Sequence, residues 1–208
     1  MTTAVRRTPV AQIHQGLGAT MVSEAGWELP GSYGDEDAER SAIRDGLAIA
    51  DITPRGKIDV RGQVDGALAT VADDTVARLA PGWAMVLTPP GGEAQALPAL
   101  EAAAGAGTMV TDATHLFASY ALCGPRLPEL LARTSGWDLA TLAPGDATGA
   151  PIVDVRAVMV RRDLSVDVLE VYVATELARY VWEALAGAVS GLDGRPVGWQ
   201  ALRAEGWA

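Results

Sequence analysis

A single cysteine, Cys123, excludes an intramolecular disulfide and a cysteine-rich zinc site. No apolar run approaches the length needed to span a bilayer, and the N-terminal stretch carries Arg6 and Arg7 without the apolar segment of a secretory leader. A cytoplasmic protein is therefore expected. Positive charge is scarce, with 16 basic against 26 acidic residues and a formal net charge of −10. That balance argues against a general nucleic-acid surface or an anionic-membrane surface, both of which need a cationic footprint. Lys57 is the sole lysine, so an anionic ligand would need a local cluster of arginines. His14 and His115 are far apart and have no cysteine or clustered acidic neighbours in sequence, so no metal site is expected.

What is present suits a chain of 208 residues that buries a core of its own. Residues 1–7 read as a loose tail and residues 8–208 as one domain. In Gly56-Lys57-Ile58-Asp59-Val60-Arg61-Gly62, Ile58 and Val60 alternate with charged residues, the period of a strand with one buried face. Asp51-Ile52-Thr53-Pro54 before it reads as a turn, and residues 37–49 as an amphipathic helix. Further helices are expected over 10–17, 65–72, 95–104 and 126–134, and strands over 19–22, 84–88, 108–111 and 117–123. Residues 25–35, rich in Gly, Trp, Pro and Tyr, read as an ordered loop. Pro89-Pro90-Gly91-Gly92 breaks the chain. Residues 152–162 and 166–173 alternate as an antiparallel hairpin. Thr175 is placed to cap a helix whose apolar stripe runs through Leu177, Tyr180, Val181, Ala184, Leu185 and Val189. Hairpins with intervening helices indicate an α+β fold with mainly antiparallel sheets and packed helices.

Between Thr8 and Gly62 a series of pieces recurs in fixed order: Thr8-Pro9, Leu17-Gly18-Ala19, Met21-Val22, Ala25-Gly26-Trp27-Glu28, Pro30, Tyr33-Gly34, Glu39, Ile43-Arg44, Asp51 and Gly56-Lys57-Ile58. This stretch resembles the start of the glycine-cleavage T-protein family, the folate-dependent aminomethyltransferases. The resemblance implies a folate-binding domain, with tetrahydrofolate or a folate-like small molecule as ligand. Family members carry a further barrel-like domain after that part, which this chain is expected to lack. The latter half contains Leu97-Pro98-Ala99-Leu100, Val110-Thr111-Asp112-Ala113-Thr114, Leu122-Cys123-Gly124-Pro125, Leu130-Leu131-Ala132, Asp138-Leu139, Pro144-Gly145 and Tyr180-Val181-Trp182. Those pieces are similar to the gamma subunit of heterotetrameric sarcosine oxidases, which belongs to the same superfamily.

The resemblance also nominates residues. Glu170-Val171-Tyr172 matches the Glu-x-Tyr element whose carboxylate holds the pterin ring in T-proteins, which makes Glu170 the ligand-binding candidate with Tyr172 beside it. A carboxylate can accept two hydrogen bonds from a pterin's amino and ring N–H groups, although alternation in the strand is equally consistent with a solvated Glu170. Arg55 stands where the family has a methionine that borders the folate, either facing an anionic ligand or exposed on a turn. Trp27 and Tyr33 either line a ligand cleft or close one end of the core. Arg203 matches an arginine in the segment that leads toward the absent domain. Trp199 and Trp207, nearby, suggest contact with a larger subunit or a homodimer through the C-terminal region.

Two departures bear on catalysis. The Tyr-Thr-Gly-Glu stretch that precedes the Glu-x-Tyr element in the family is replaced by Arg161–Asp167. The strand bearing the family's catalytic aspartate, after the Gly-Gly loop, is missing, and no residue aligns with that aspartate. Asp112, after a strand, is a candidate acid or base, or else it turns the backbone with Thr114 ahead of His115. Three readings follow. One is a tetrahydrofolate-binding protein assisting methylene or methyl transfer from an amine or ether, as an aminomethyltransferase-like or demethylase-like enzyme. Another is a non-catalytic gamma-like subunit or scaffold of a flavin or folate oxidase complex. The last is a folate-independent tailoring enzyme on a recruited fold.

Overall fold

The computed structural model describes residues 5–72 and 76–207. Thirteen strands and seven helices are present among them. The strands are β1 (Arg6–Arg7), β2 (Thr20–Glu24), β3 (Trp27–Ser32), β4 (Ala48–Asp51), β5 (Gly56–Gly62), β6 (Val76–Ala80), β7 (Trp83–Thr88), β8 (Thr108–Asp112), β9 (Phe117–Cys123), β10 (Ala147–Ile152), β11 (Val155–Arg162), β12 (Val168–Ala174) and β13 (Arg195–Pro196). The helices are α1 (Ala11–Gly16), α2 (Glu36–Asp45), α3 (Val64–Leu68), α4 (Glu93–Ala103), α5 (Leu127–Thr134), α6 (Ala178–Ser190) and α7 (Trp199–Ala204).

The strands form three sheets, ordered β10-β11-β12-β9-β4-β13, β6-β7-β5-β8 and β1-β3-β2. Pairing is antiparallel except for β1 with β3 and β13 with β4, which gives the α+β architecture expected from the hairpin-rich sequence. β12 lies third in the six-stranded sheet and is buried on both faces, so its apolar residues run almost without interruption. Leu169, Val171 and Val173 pack with α5 and α6 in the largest apolar cluster. On the opposite face, Tyr172 joins Val158 and Val160 against Met85 and Leu87 of the four-stranded sheet. Val168 meets Ala121, Cys123, Ile43, Trp199 and Trp207 in a second cluster. Glu170 emerges between these two clusters.

Several elements depart from the sequence reading. Residues 25–35 contain β3, whose Pro30 and Gly31 mask a strand in composition. The helix expected over 37–49 ends at Asp45, and Ala48 and Ile49 instead enter β4 beyond Gly46. Arg6 and Arg7, assigned to a loose tail, pair with Trp27 and Glu28, while residues 1–4 lie outside the described residues. The strand read from Ile152 begins later, because positive φ at Val153 and Asp154 turns β10 into β11. Thr175 heads a 3-10 turn and its hydroxyl bonds His115 O rather than capping α6. Tyr180 is half exposed, and Trp182 takes the inward position on that helix. Trp199 and Trp207 are not a surface patch: they are 4% and 3% exposed and pack edge to face at 5.4 Å. Indole burial within the chain accounts for both.

Glu39 of α2 ties three layers together, accepting from Ser32 Oγ at 2.9 Å, Tyr33 N at 2.6 Å and Gly198 N at 2.7 Å. The last bond brings the start of α7 so close to β3 that a Cβ at Gly198 would lie 2.1 Å from Gly31 O. Gly198→Ala is therefore expected to destabilise the protein by about 3 kcal/mol or more in denaturant unfolding. Gly187, in α6 with open space around its Cβ position, should behave oppositely, Gly187→Ala adding about 0.5–1 kcal/mol.

Candidate functional site

The turn from β4 to β5 delivers Arg55 to the face of the six-stranded sheet, with Arg55 N bonded to Ile52 O at 3.0 Å. There its Nη1 donates to Glu170 Oε1 at 2.9 Å, and Tyr172 Oη donates to Oε2 at 2.5 Å. Arg162 Nε approaches Oε1 at 3.6 Å. Trp207 covers the Arg55 guanidinium at 5.1 Å from its ring centroid. Glu170 is 0% exposed and Arg55 3%. A carboxylate withdrawn from water at this depth costs several kcal/mol, and an opposite charge with good hydrogen bonds is what offsets it. Burial, reinforced by the Glu170 charge, pushes the Tyr172 hydroxyl well above its ordinary value, so it remains a donor.

A second buried group adjoins the first. Asp51 accepts from Thr53 N at 2.9 Å and bonds His14 Nε2 at 2.9 Å, and His14 Nδ1 bonds Tyr33 Oη at 2.8 Å. Burial would raise Asp51, but the His14 and Thr53 hydrogen bonds outweigh it and hold the carboxyl below its usual range. Burial, then the charges of Asp51 and Glu39, drives Tyr33 far above its ordinary value, so the phenol keeps its proton beside His14 Nδ1 while His14 Nε2 faces Asp51. Lys57, 0% exposed, donates from Nζ to Thr53 O at 2.7 Å and to the Thr114 and Phe117 carbonyls at 3.4 Å. Burial lowers its pKa to about 7, resisted by Asp51 and reinforced by Arg55.

The residues nominated by sequence thus separate. Glu170, Tyr172 and Arg55 converge on one point. Tyr33 belongs to the His14–Asp51 group. Trp27, buried, stacks on His115 at 5.3 Å with Arg6 over its ring at 5.6 Å. Asp112, at the end of β8, accepts from Thr114 N at 2.9 Å; burial works against that bond, which nevertheless holds the carboxyl below its usual range, helped by the His115 and Arg6 charges. Arg203 is exposed and reaches Glu24 at 3.3 Å. Sequence reasoning did not nominate His14, Asp51, Lys57, Arg162 or the Trp207–Arg55 contact. The available signal was Lys57 itself, the sole lysine, flanked by apolar strand residues.

For the tetrahydrofolate implied by the resemblance, the carboxylate of Glu170 would be the point of attachment. Both oxygens of Glu170 are engaged by protein donors, and none of the described cavities is lined by Glu170, Arg55 or Tyr172. The largest described, about 820 Å³, opens elsewhere, beside Gly62, Arg78 and Trp83. A pterin does not fit at Glu170 while Arg55 holds its place. After Gly91-Gly92 the chain enters α4 directly, with Gly92 at its N-terminus and no strand between.

Comparison with known proteins accounts for this arrangement of sheets. The GCVT N-terminal domain model matches residues 64–206, and the chain belongs to that family. An aminomethyltransferase of Streptomyces coelicolor is 31% identical over 89% of this chain and 58% of its own length. One from Frankia alni is 30% identical over 93% of this chain and 61% of its own. The chain therefore spans about three-fifths of these relatives. Among solved structures, the glycine cleavage system aminomethyltransferase T of Bartonella henselae superposes with a TM-score of 0.80 at 21% identity, over 95% of this chain and 60% of that one. A chain of the heterotetrameric sarcosine oxidase of Corynebacterium sp. U-96 superposes with a TM-score of 0.65 at 14% identity, over 92% of this chain and 98% of that one. Both likenesses concern the fold. Among the described residues, no helix is long and apolar enough to cross a membrane.

The depressed Lys57 pKa sets a pH dependence. Its folded value, about 7, lies below the ordinary 10.5, so between those values the unfolded chain binds more protons and stability falls as pH falls. Below about pH 7 this contribution stops changing. Each unit of depression corresponds to about 1.4 kcal/mol. Burial raises Cys123 to about 12 from 9, an opposing loss of stability that begins only above pH 9. Denaturant midpoints are expected to rise from pH 7 to pH 9 in the native chain and to stay level over that range in Lys57→Met.

Proposed function

We propose that this chain is a non-catalytic T-protein-like subunit or scaffold, working beside a larger flavin- or folate-dependent enzyme of one-carbon chemistry. The observation that carries this reading is the closed state of Glu170, whose carboxylate is engaged by Arg55 and Tyr172 and covered by Trp207 on Arg55. In a free-standing aminomethyltransferase that carboxylate would have to accept from the pterin instead. The passage from Gly91-Gly92 into α4 supports the same reading, since no strand follows that could carry an aspartate to the folate. So does the near-complete coverage of one chain of a heterotetrameric oxidase.

On this reading Glu170 and Arg55 serve the stability of the domain, Asp112 turns the backbone, and the chain's contribution to one-carbon transfer is made through a partner subunit. The competing reading is a tetrahydrofolate-binding protein that itself assists transfer from an amine or ether, with Glu170 on the pterin. Thermal unfolding of the intact chain with millimolar tetrahydrofolate separates them, because a ligand specific to the native state raises apparent stability by mass action. No change in melting temperature is expected. A saturable rise that Glu170→Gln abolishes would overturn the scaffold reading in favour of the folate-binding one.

A further inference from the structure

A strand at the edge of a sheet offers unpaired N–H and C=O groups, and proteins blunt such edges with charge, proline or a bulge. Among the described residues, five of the six edge strands carry one of these: Arg6 and Arg7 in β1, Glu24 and a register shift in β2, Arg78 and a register shift in β6, Pro151 in β10 and Pro196 in β13. β8 closes the four-stranded sheet on an uncharged run, Thr108-Met109-Val110-Thr111, with Asp112 only at its end. Met109 is 58% exposed. Bonds from Gln63 N to Gly107 O at 3.4 Å and from Ala113 N to Lys57 O at 2.8 Å fix which residues of β8 serve β5. They are the odd-numbered ones, so the backbone groups of Val110 and Asp112 point away from the sheet.

We infer that β8 pairs with β8 of a second copy of this chain, antiparallel about a two-fold axis at Val110, joining the two four-stranded sheets into one. An isologous contact needs a strand that complements itself, and this one does. The axis sets Val110 opposite its own copy and Thr108 opposite Asp112. The two Asp112 residues then lie at opposite ends of the pairing, about 14 Å apart along the strands. Met109 meets Thr111 on the exposed face. In that row Arg61 flanks Met109, and Asp59 of the second copy flanks Thr111, so the charges on the two sides of the axis are opposite in sign. α4, which packs in one core cluster with Val110, exposes Ala94, Ala99 and Ala102, small side chains that leave room for the helix of the second copy. The contact does not involve Glu170 and holds or fails independently of the scaffold reading.

The test is sedimentation velocity of the intact chain over a range of about 1 to 300 μM. A pairing this short makes a small interface, so a dimer half dissociated at about 10–100 μM is expected. Val110→Pro removes the outward N–H at the axis and none of the bonds to β5, and should weaken the dimer about tenfold or more while the fold persists. Met109→Glu keeps Arg61 as its neighbour within the chain but adds an acid to the row that holds Asp59 of the second copy, so it should weaken the dimer too. That variant decides the matter if Val110→Pro does not fold. Leu17→Gln, at another exposed apolar position, should change nothing. A single-chain mass at the highest concentration overturns the inference and leaves β8 to a strand of a different protein. A dimer that folded Val110→Pro leaves intact, or that Leu17→Gln weakens equally, overturns it as well. Folate binding by the native chain would sink the scaffold reading alone, whereas a monomer sinks only this inference.

Discussion

A carboxylate at zero exposure in the middle of a sheet must be compensated from within the chain, and in this protein Arg55 does so. The requirement reaches well beyond the pair. To bring Arg55 to Glu170, the chain leaves β4 in a tight turn and re-enters at β5, so the six-stranded and four-stranded sheets are joined where the charges meet. Trp207 then seals the guanidinium from the side of α7, which ties the C-terminal segment to the same point.

Two further buried groups, Lys57 and Asp51, follow a shared logic. Lys57 directs its Nζ at carbonyls of the β4–β5 turn, of the segment before β9 and of the first residue of β9, while Asp51 fixes that turn through Thr53 N and links it to α1 through His14. Each group is satisfied by backbone or by an opposite charge, the condition under which polar interiors specify a single arrangement instead of destabilising it. Burial is the largest single cause in both: in Lys57 it also sets the direction, whereas in Asp51 the hydrogen bonds and charge of His14, with the Thr53 and Thr8 hydrogen bonds, together outweigh it. The difference is one of partners, since carbonyl dipoles compensate a cation less completely than a paired imidazole and an amide compensate an anion.

Much of the fold could be read from the chain because hydrophobic period and turn chemistry are local. The alternation around Ile58 and Val60, the break at Pro89–Gly92 and the hairpin of β11 with β12 all required only neighbours in sequence. β3 did not yield to this, because its Pro30 and Gly31 have the composition of a loop and it is held as a strand by β1 and β2. Glu170 could be nominated by resemblance, but its partner could not: Arg55 lies 115 positions away, and nothing local distinguishes a turn arginine that swings inward from one that stays in water. The same blindness placed Trp199 and Trp207 on a surface, when long-range packing buries both.

The central claim is that Arg55 and Glu170 are coupled strongly inside the protein and not as a solvated surface pair. A double-mutant cycle by denaturant unfolding, built from Arg55→Met, Glu170→Met and the two together, measures that coupling directly. Each single change removes the nearest opposite charge from a buried group and should cost about 3–5 kcal/mol, with the double variant losing far less than their sum. A coupling energy of about 1 kcal/mol or less, the range of exposed pairs, would contradict the account.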